Sequence, residues 1–263
     1  TIAVFSFFGK NIFNTIPIYL GIYLHAKHQK MDFRSFIIVV LFSTGISPIV
    51  SFLIFGTDWP LLIGIPAGIL VGLLTGFVLP ALSAHMIRFH KGYNLYNIGF
   101  SMGILSMVYA AILVNIFGFD LFRFGTIVTD AFHVELFILT LVLSVLFIVS
   151  GFINDKNVLK KYPALLKSSG RLVSDYIRDY GKNISMVNVG VMGLISLLAI
   201  TVLGISINGA VMGGILTVMG FGAFGKHPRN AIPVMLGASA CYVFIVLTQG
   251  EASVGLAIAV LFV

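Results

Sequence analysis

Long stretches without a charged residue limit this chain to one class of fold. Residues 184–225 form a run of 42 residues with no Lys, Arg, Asp or Glu, and residues 35–55 form another run of 21. About 20 apolar residues in a helix cross the ~30 Å hydrocarbon core of a bilayer. The runs are continuous rather than alternating, so helices are expected to satisfy the backbone polar groups in lipid. The sequence therefore predicts an all-α, polytopic membrane protein.

Composition agrees with this class and argues against others. Of the 263 residues, 59% are hydrophobic and 10% are charged, which is far from the balance of a soluble domain. The single Cys241 supports neither an internal disulfide nor a thiolate metal site, and we interpret it as a buried packing residue. The net charge of +7 comes mostly from loops between apolar runs, so we attribute it to membrane orientation rather than to nucleic-acid binding.

A block of fourteen residues occurs twice, 216 positions apart. Residues 8–21 read FGKNIFNTIPIYLG and residues 224–237 read FGKHPRNAIPVMLG, with eight identical positions. The identities include Gly, Lys, Asn and Pro as well as aliphatic residues, so shared hydrophobicity does not explain them. The block therefore indicates an internal duplication.

Each copy places one lysine and one asparagine in an apolar setting. The pairs are Lys10 with Asn14 and Lys226 with Asn230. An ionisable group at the centre of a spanning helix costs at least ~2.5 kcal/mol, so such a group normally faces protein or a water-filled path. Both pairs are therefore candidates for a polar site at membrane depth.

Two backbone geometries of the block are open. In a continuous helix, the Lys, Asn, Pro and Gly of each copy fall at i, i+4, i+7 and i+11, on one face. Alternatively, the Gly-Lys step interrupts the helix, Pro228 takes a first helical position, and the half-helix that follows directs free N–H groups into the bundle. In either geometry Pro17 and Pro233 are expected to kink their helices.

Polar segments divide the chain into three parts. Residues 1–153 are expected to form a first membrane half of about five spans, including block 8–21. Residues 154–183 contain seven Lys or Arg and form a cytoplasmic connector, either a basic amphipathic helix on the lipid surface or a solvated linker. Residues 184–263 are expected to begin an inverted second half with block 224–237. We expect the chain to be part of a longer protein.

Two further patterns concern the spans. The turn signal at residues 206–209, SING, divides the run at 184–225 into two passes. Glycines spaced by four residues predict a ridge that lets another helix approach closely, rather than the lining of a pore. These glycines are Gly64, Gly68, Gly72 and Gly76.

The distribution of basic residues predicts orientation. If residues 154–183 are cytoplasmic, alternation of spans places 12 Lys or Arg inside and only Arg123 in the outer loops. The helix after Lys10 then runs from outside to inside, and the helix after Lys226 runs in the opposite direction. An inverted repeat of this kind places a solute site near the midplane of the membrane. This predicted orientation holds only if both passes in residues 184–225 cross the membrane.

The repeat blocks and residues 84–100, AHMIRFHKGYNLYNIGF, resemble a family of uncharacterised bacterial multi-pass membrane proteins, known only as a domain of unknown function. The chain is also distantly similar to urea channels, whose halves are inverted repeats with an Asn-Pro motif and a later Gly-Tyr-Asn motif. Gly92-Tyr93-Asn94 resembles the later motif, whereas Asn14 and Pro17 are separated by two residues and depart from the earlier one. This resemblance implies an inverted-repeat fold and a urea-like or amide-like solute.

Other polar residues suggest alternative functions with less specific patterns. An intramembrane enzyme could use His133 with Asp130 and Glu135, or the region of His85. The histidines lack the spacing of a metal site. There is no phosphate-binding loop, dinucleotide fingerprint or nucleophile elbow. We therefore expect no catalytic residue, no metal and no cofactor.

The sequence as a whole predicts a channel or secondary transporter for a small polar solute, built as an inverted-repeat bundle with broken or kinked helices. The expected partners are the solute and the lipid bilayer, with further copies of the chain as an additional candidate and nucleic acid excluded. The expected location is the inner membrane of a bacterium. A non-transporting sensor or assembly protein is a further alternative. The candidate solute-path residues are Lys10, Asn14, Pro17, Tyr93, Asn94, Lys226, Asn230 and Pro233.

Overall fold

A computed structural model describes residues 5–6, 8–121, 130–251 and 254–261 of the chain. Helices dominate these residues, and no strand occurs among them. The chain divides into two compact units, Thr1–Ile127 and Val128–Val263. Arg123, on which the predicted orientation depends in part, lies outside the described residues.

The first unit contains five α-helices in its described part. They are α1 Ile12–His28, α2 Ile37–Ser43, α3 Pro48–Phe55, α4 Leu61–Phe89 and α5 Asn97–Asn115. Helix α1 packs closely along α4, because the glycines of the α4 ridge place no side chain between the two helices. A Cβ atom on Gly76 would collide with the Ile18 carbonyl oxygen, and one on Gly72 would collide with the Pro17 side chain. The predicted helix-packing role of the ridge is therefore confirmed.

The apolar run at residues 35–55 forms two helices rather than one. A 3₁₀ turn, Thr44–Ile46, separates α2 from α3, and Pro48 occupies the start of α3. Proline has no N–H to donate and fits a first helical turn, so the break falls where Pro48 enters. The break divides this run into two short helices within one candidate membrane span, Phe33–Phe55.

The second unit contains the remaining described α-helices. They are α6 His133–Asn154, α7 Val158–Leu165, α8 Tyr176–Tyr180, α9 Lys182–Val202, α10 Gly209–Phe221, α11 Pro228–Gln249 and α12 Val254–Leu261. Glycines again allow close packing: a Cβ on Gly190 would meet the Ser144 carbonyl, and one on Gly151 would meet the Asn183 carbonyl. Helices α6 and α9 therefore form an antiparallel pair within this unit, although α6 had been predicted with the first half.

Six segments among the described residues are long and apolar enough to cross a membrane. They are Phe33–Phe55, Leu61–Phe89, Asn97–Asn115, His133–Asn154, Lys182–Val202 and Pro228–Gln249. The predicted integral membrane character is thus confirmed. Helix α10 has 13 residues, about 20 Å at 1.5 Å per residue, which is shorter than the ~30 Å hydrocarbon core. The predicted inversion of the repeat requires this segment to cross the membrane. Helix α10 alone is too short to cross it.

The connector, residues 154–183, is folded onto the second unit. Val158, Leu165 and Tyr176 are buried in a cluster with Ile184 and Val187 of α9. The burial of these side chains shows that the segment is neither a detached linker nor one continuous surface helix. By contrast, Cys241 on α11 is exposed, so the prediction that it is buried is wrong.

Candidate functional site

Both lysines of the duplicated block lie in a turn immediately before a helix. Helix α1 begins at Ile12, two residues after Lys10, and α11 begins at Pro228, two residues after Lys226. Pro228 occupies the first helical position as predicted. The structure thus selects the interrupted geometry, and the lysines do not share a helical face with the asparagines that follow them.

The first turn is held together by its own backbone and by Asn14. The Asn14 amide Nδ2 donates to the Gly9 carbonyl at 3.0 Å, and the Asn11 backbone N donates to Asn14 Oδ1 at 2.9 Å. The Lys10 backbone N donates to the Phe5 carbonyl at 3.3 Å. Gly9 has φ +88°, a conformation that glycine adopts without steric cost. Asn14 therefore fixes the path of the chain on both sides of Lys10.

The second turn repeats each of these bonds at the equivalent positions. Asn230 Nδ2 donates to the Gly225 carbonyl at 2.8 Å, and the His227 backbone N donates to Asn230 Oδ1 at 2.9 Å. The Lys226 backbone N donates to the Phe221 carbonyl at 2.9 Å, and Gly225 has φ +119°. The sequence repeat is therefore also a repeat of local geometry, which we call the lysine turn.

The two lysine side chains end in buried positions. Nζ of Lys10 lies 5.8 Å from the centre of the Phe5 ring, and within the described part of the chain it has no hydrogen-bond acceptor. Lys226 is only 2% exposed. A buried lysine side chain is rare in proteins and marks a functional candidate.

The two asparagines hold the turns together. Each uses its amide oxygen and an amide N–H within the turn, and Asn14 Nδ2 also donates to Ser51 Oγ of α3 at 3.0 Å. Their hydrogen-bonding groups are directed to protein atoms. Asn14 and Asn230 are therefore positioning residues for the lysines, and direct solute contact by them stays a prediction.

Asn188, on α9, is a residue of this site that the sequence reasoning missed. It is fully buried, and its Nδ2 donates to the Gly222 and Lys226 carbonyls at 2.6 and 2.7 Å. Its Oδ1 accepts from the Tyr162 hydroxyl at 2.8 Å. A polar residue inside the uncharged run at 184–225 was the available signal. Asn188 ties the second lysine turn to the spanning helix beside it.

The connector also covers the second lysine turn. The Tyr176 hydroxyl donates to the Gly225 carbonyl at 2.8 Å, and burial raises the pKa of Tyr176 to about 12, so this donor stays protonated. His227 Nε2 lies 3.1 Å from the Ser168 carbonyl. Gly170 packs so closely that a Cβ there would collide with the Gly225 carbonyl and the Asn230 amide. The polar segment is thus part of the second site.

The remaining predicted site residues lie elsewhere in their units. Pro17 and Pro233 lie inside α1 and α11. Tyr93 is exposed in the turn between α4 and α5, and Asn94 Oδ1 accepts from the Tyr96 backbone N at 2.9 Å. These bonds of Asn94, with Tyr96 and with His90, are local to that turn. Its role, like that of Tyr93, stays a prediction.

The residues of the enzyme alternative have structural roles or are exposed. Nδ1 of His133 accepts from the Ile207 backbone N at 2.9 Å, beside a cavity of about 200 Å³. Glu135 is exposed at the start of α6. Among the described residues, no group of three or more His, Cys, Asp or Glu is placed to hold a metal ion.

These observations define the class: a helical integral membrane protein with a lysine turn in each of its two units. The family described as "Protein of unknown function (DUF1576)" matches residues 1–115 and 154–263, and the chain belongs to it. Comparison with curated proteins gives no significant match. Comparison with solved structures gives none either.

Proposed function

We propose that this protein is a channel or secondary transporter for a small polar solute, with Lys10 and Lys226 next to the solute path. The observation that carries the proposal is the duplicated turn that buries a lysine Nζ just before a helix, which is α1 in the first copy and the candidate span α11 in the second. A buried lysine that occurs in both copies is costly to retain for packing alone, because burial disfavours its charged form.

The chemistry of the turn favours a solute that presents acceptor atoms. An ammonium group offers three N–H donors and no acceptor, and the asparagine amides are already directed to the turn. Carbonyl oxygens of small amides such as urea, and oxygens of small anions, suit such donors. In this proposal the chain moves the solute without covalent chemistry.

The proposal includes the inverted relation of the two units. In inverted-repeat transporters, broken helices of opposite orientation bind the solute near the midplane of the membrane. The like geometry of the two turns supports a common ancestry of the halves. Their relative direction requires the labelling experiment given in the Discussion.

Liposome flux tests the transport proposal. Purified protein is reconstituted and assayed with small amides, ammonium, inorganic anions and inorganic cations. We expect flux of at least one solute class, and a loss of at least about tenfold in both Lys10→Met and Lys226→Met, since each removes the N–H donors that contact the solute in this proposal. Lys27→Met, at an exposed lysine on α1, is the matched control and should retain flux.

Two outcomes would overturn the proposal. One is the absence of flux for the whole panel with protein that elutes as a single folded species and is inserted in the vesicles. The other is flux that survives both lysine substitutions at the level of the Lys27→Met control.

A further inference from the structure

The connector, residues 154–183, has one buried side and one strongly basic side. The side chains of Val158, Leu165 and Tyr176 point into the cluster with α9. All seven Lys and Arg of the segment are exposed. We call these seven the basic surface: Lys156, Lys160, Lys161, Lys167, Arg171, Arg178 and Lys182.

Acidic residues neutralise this surface only in part. Lys161 lies 2.6 Å from Asp155, and Arg178 lies 3.0 Å from Asp179. The connector contains three Asp and no Glu against seven basic residues, which leaves a net charge of +4. A partner that recognises this surface by its charge would therefore be negatively charged.

Large apolar side chains are exposed among the cations. Leu159 is 63% exposed, Val173 is 82% exposed and Ile177 is 45% exposed. A nucleic acid would not contact such side chains favourably, whereas the boundary between headgroups and acyl chains accepts both kinds. The mixture of charge and apolar surface favours a membrane partner.

The connector also lies between the ends of two candidate membrane spans, where lipid headgroups are within reach. It follows the end of α6 at Asn154 and precedes the start of α9 at Lys182, both candidate membrane spans. The packing of Gly151 on Asn183 and of Gly190 on Ser144 makes the two spans antiparallel neighbours. Both ends of the connector therefore emerge at the same end of this helix pair, at the membrane surface.

We propose that the basic surface of the connector binds the anionic phospholipid headgroups of the adjacent leaflet. Lysine and arginine side chains contact the phosphates, while Leu159, Val173 and Ile177 enter the headgroup region. This inference rests on the membrane class of the protein and not on transport, so it stands or falls separately from the proposed function.

A fluorescent probe at Val173 tests this inference. Val173→Cys is made in a Cys241→Ala background, labelled with an environment-sensitive fluorophore and reconstituted in phosphatidylcholine vesicles with and without phosphatidylglycerol. Brominated acyl chains serve as quenchers. We expect stronger quenching in the anionic vesicles, and a return towards the phosphatidylcholine level at high salt, because salt screens exposed charges.

Neutralisation of the surface gives the second arm. Each cation near an anionic leaflet contributes about fivefold to association, so the triple variant Lys156→Gln, Lys160→Gln and Lys167→Gln should weaken surface association on the order of a hundredfold. The matched control neutralises Lys27, Lys30 and Arg34 in the first unit, which are exposed outside the connector, and should leave the quenching unchanged.

Two results would overturn the inference. Equal quenching in neutral and anionic vesicles would show that the connector does not recognise anionic headgroups. Quenching in anionic vesicles that stays at the unsubstituted level in the triple variant would show that these lysines do not bind the headgroups. Elution of each variant as a single species in size-exclusion chromatography shows that the comparison is between folded proteins.

Discussion

At the scale of single residues, equivalent positions of the repeat have unequal surroundings. A Cβ on Gly21 would collide with the Leu73 carbonyl and lie 2.9 Å from the Gly76 Cα, whereas a Cβ on the equivalent Gly237 has nothing within 4 Å. Glycine is thus required for close helix packing at position 21 of α1, whereas position 237 of α11 has room for a side chain. Sequence identity between the blocks conceals this difference.

The pair gives a matched test by the same substitution. Gly21→Ala should lower the free energy of unfolding by about 1–3 kcal/mol, because α1 and α4 must separate to admit the methyl group. Gly237→Ala should leave it unchanged or raise it by up to about 1 kcal/mol, because alanine is the better helix former. Thermal unfolding in detergent measures both, and equal shifts would contradict the close α1–α4 packing.

At the scale of elements, the connector and α9 hold the second lysine turn from two sides. Asn188 of α9 donates to two carbonyls of the turn, and Tyr162 and Tyr176 of the connector complete the network. The first turn instead uses Ser51 of α3. Each unit therefore supports a similar turn with different neighbours.

Substitution of Asn188 tests this support. Asn188→Ala leaves two buried carbonyls without their donor, and each such loss costs about 1–3 kcal/mol. We expect a lower unfolding temperature and faster proteolysis within the connector. Asn183→Ala, at a half-buried position of the same helix, is the control and should have little effect. An unchanged protein after Asn188→Ala would show that the network does not stabilise the turn.

Sequence patterns predicted some of these elements well and others poorly. The lengths of the apolar runs identified the candidate spans, because a helix needs about 20 apolar residues to cross a bilayer. Pro228 indicated the start of α11. The roles of Asn188 and Tyr176 could not be read from sequence, because their donor groups bond to backbone carbonyls 34 to 49 residues away. A carbonyl acceptor carries no side-chain signature, so only the fold reveals it.

At the scale of the whole molecule, the predicted inversion depends on how often the chain crosses the membrane. The six candidate spans are clear from length, but α10, with 13 residues, is too short to cross by itself. The distribution of basic residues does not show on its own that the two repeat helices run in opposite directions, because the predicted orientation assumes this crossing and expects only one cation, Arg123, outside. Direct labelling decides the direction of the two repeat helices.

Single cysteines in a Cys241→Ala background provide that measurement. Lys30→Cys follows α1 and Glu251→Cys follows α11, both at exposed positions. The inverted arrangement predicts that a membrane-impermeant maleimide labels them from opposite sides. Lys167→Cys in the connector should react from the same side as Lys30→Cys. Labelling of Lys30→Cys and Glu251→Cys from one side would show that the halves are parallel.

The internal hydrogen bonds of the lysine turn also bear on how the two blocks diverged. The bonds shared by both copies join residues within the block or just before it. A motif held by its own hydrogen bonds keeps its shape even when the residues around it differ. The neighbours of each copy could then change freely as long as the glycine and the asparagine that form the bend were kept, whereas the lysine, which contributes only its backbone N–H to the bend, was kept for another reason.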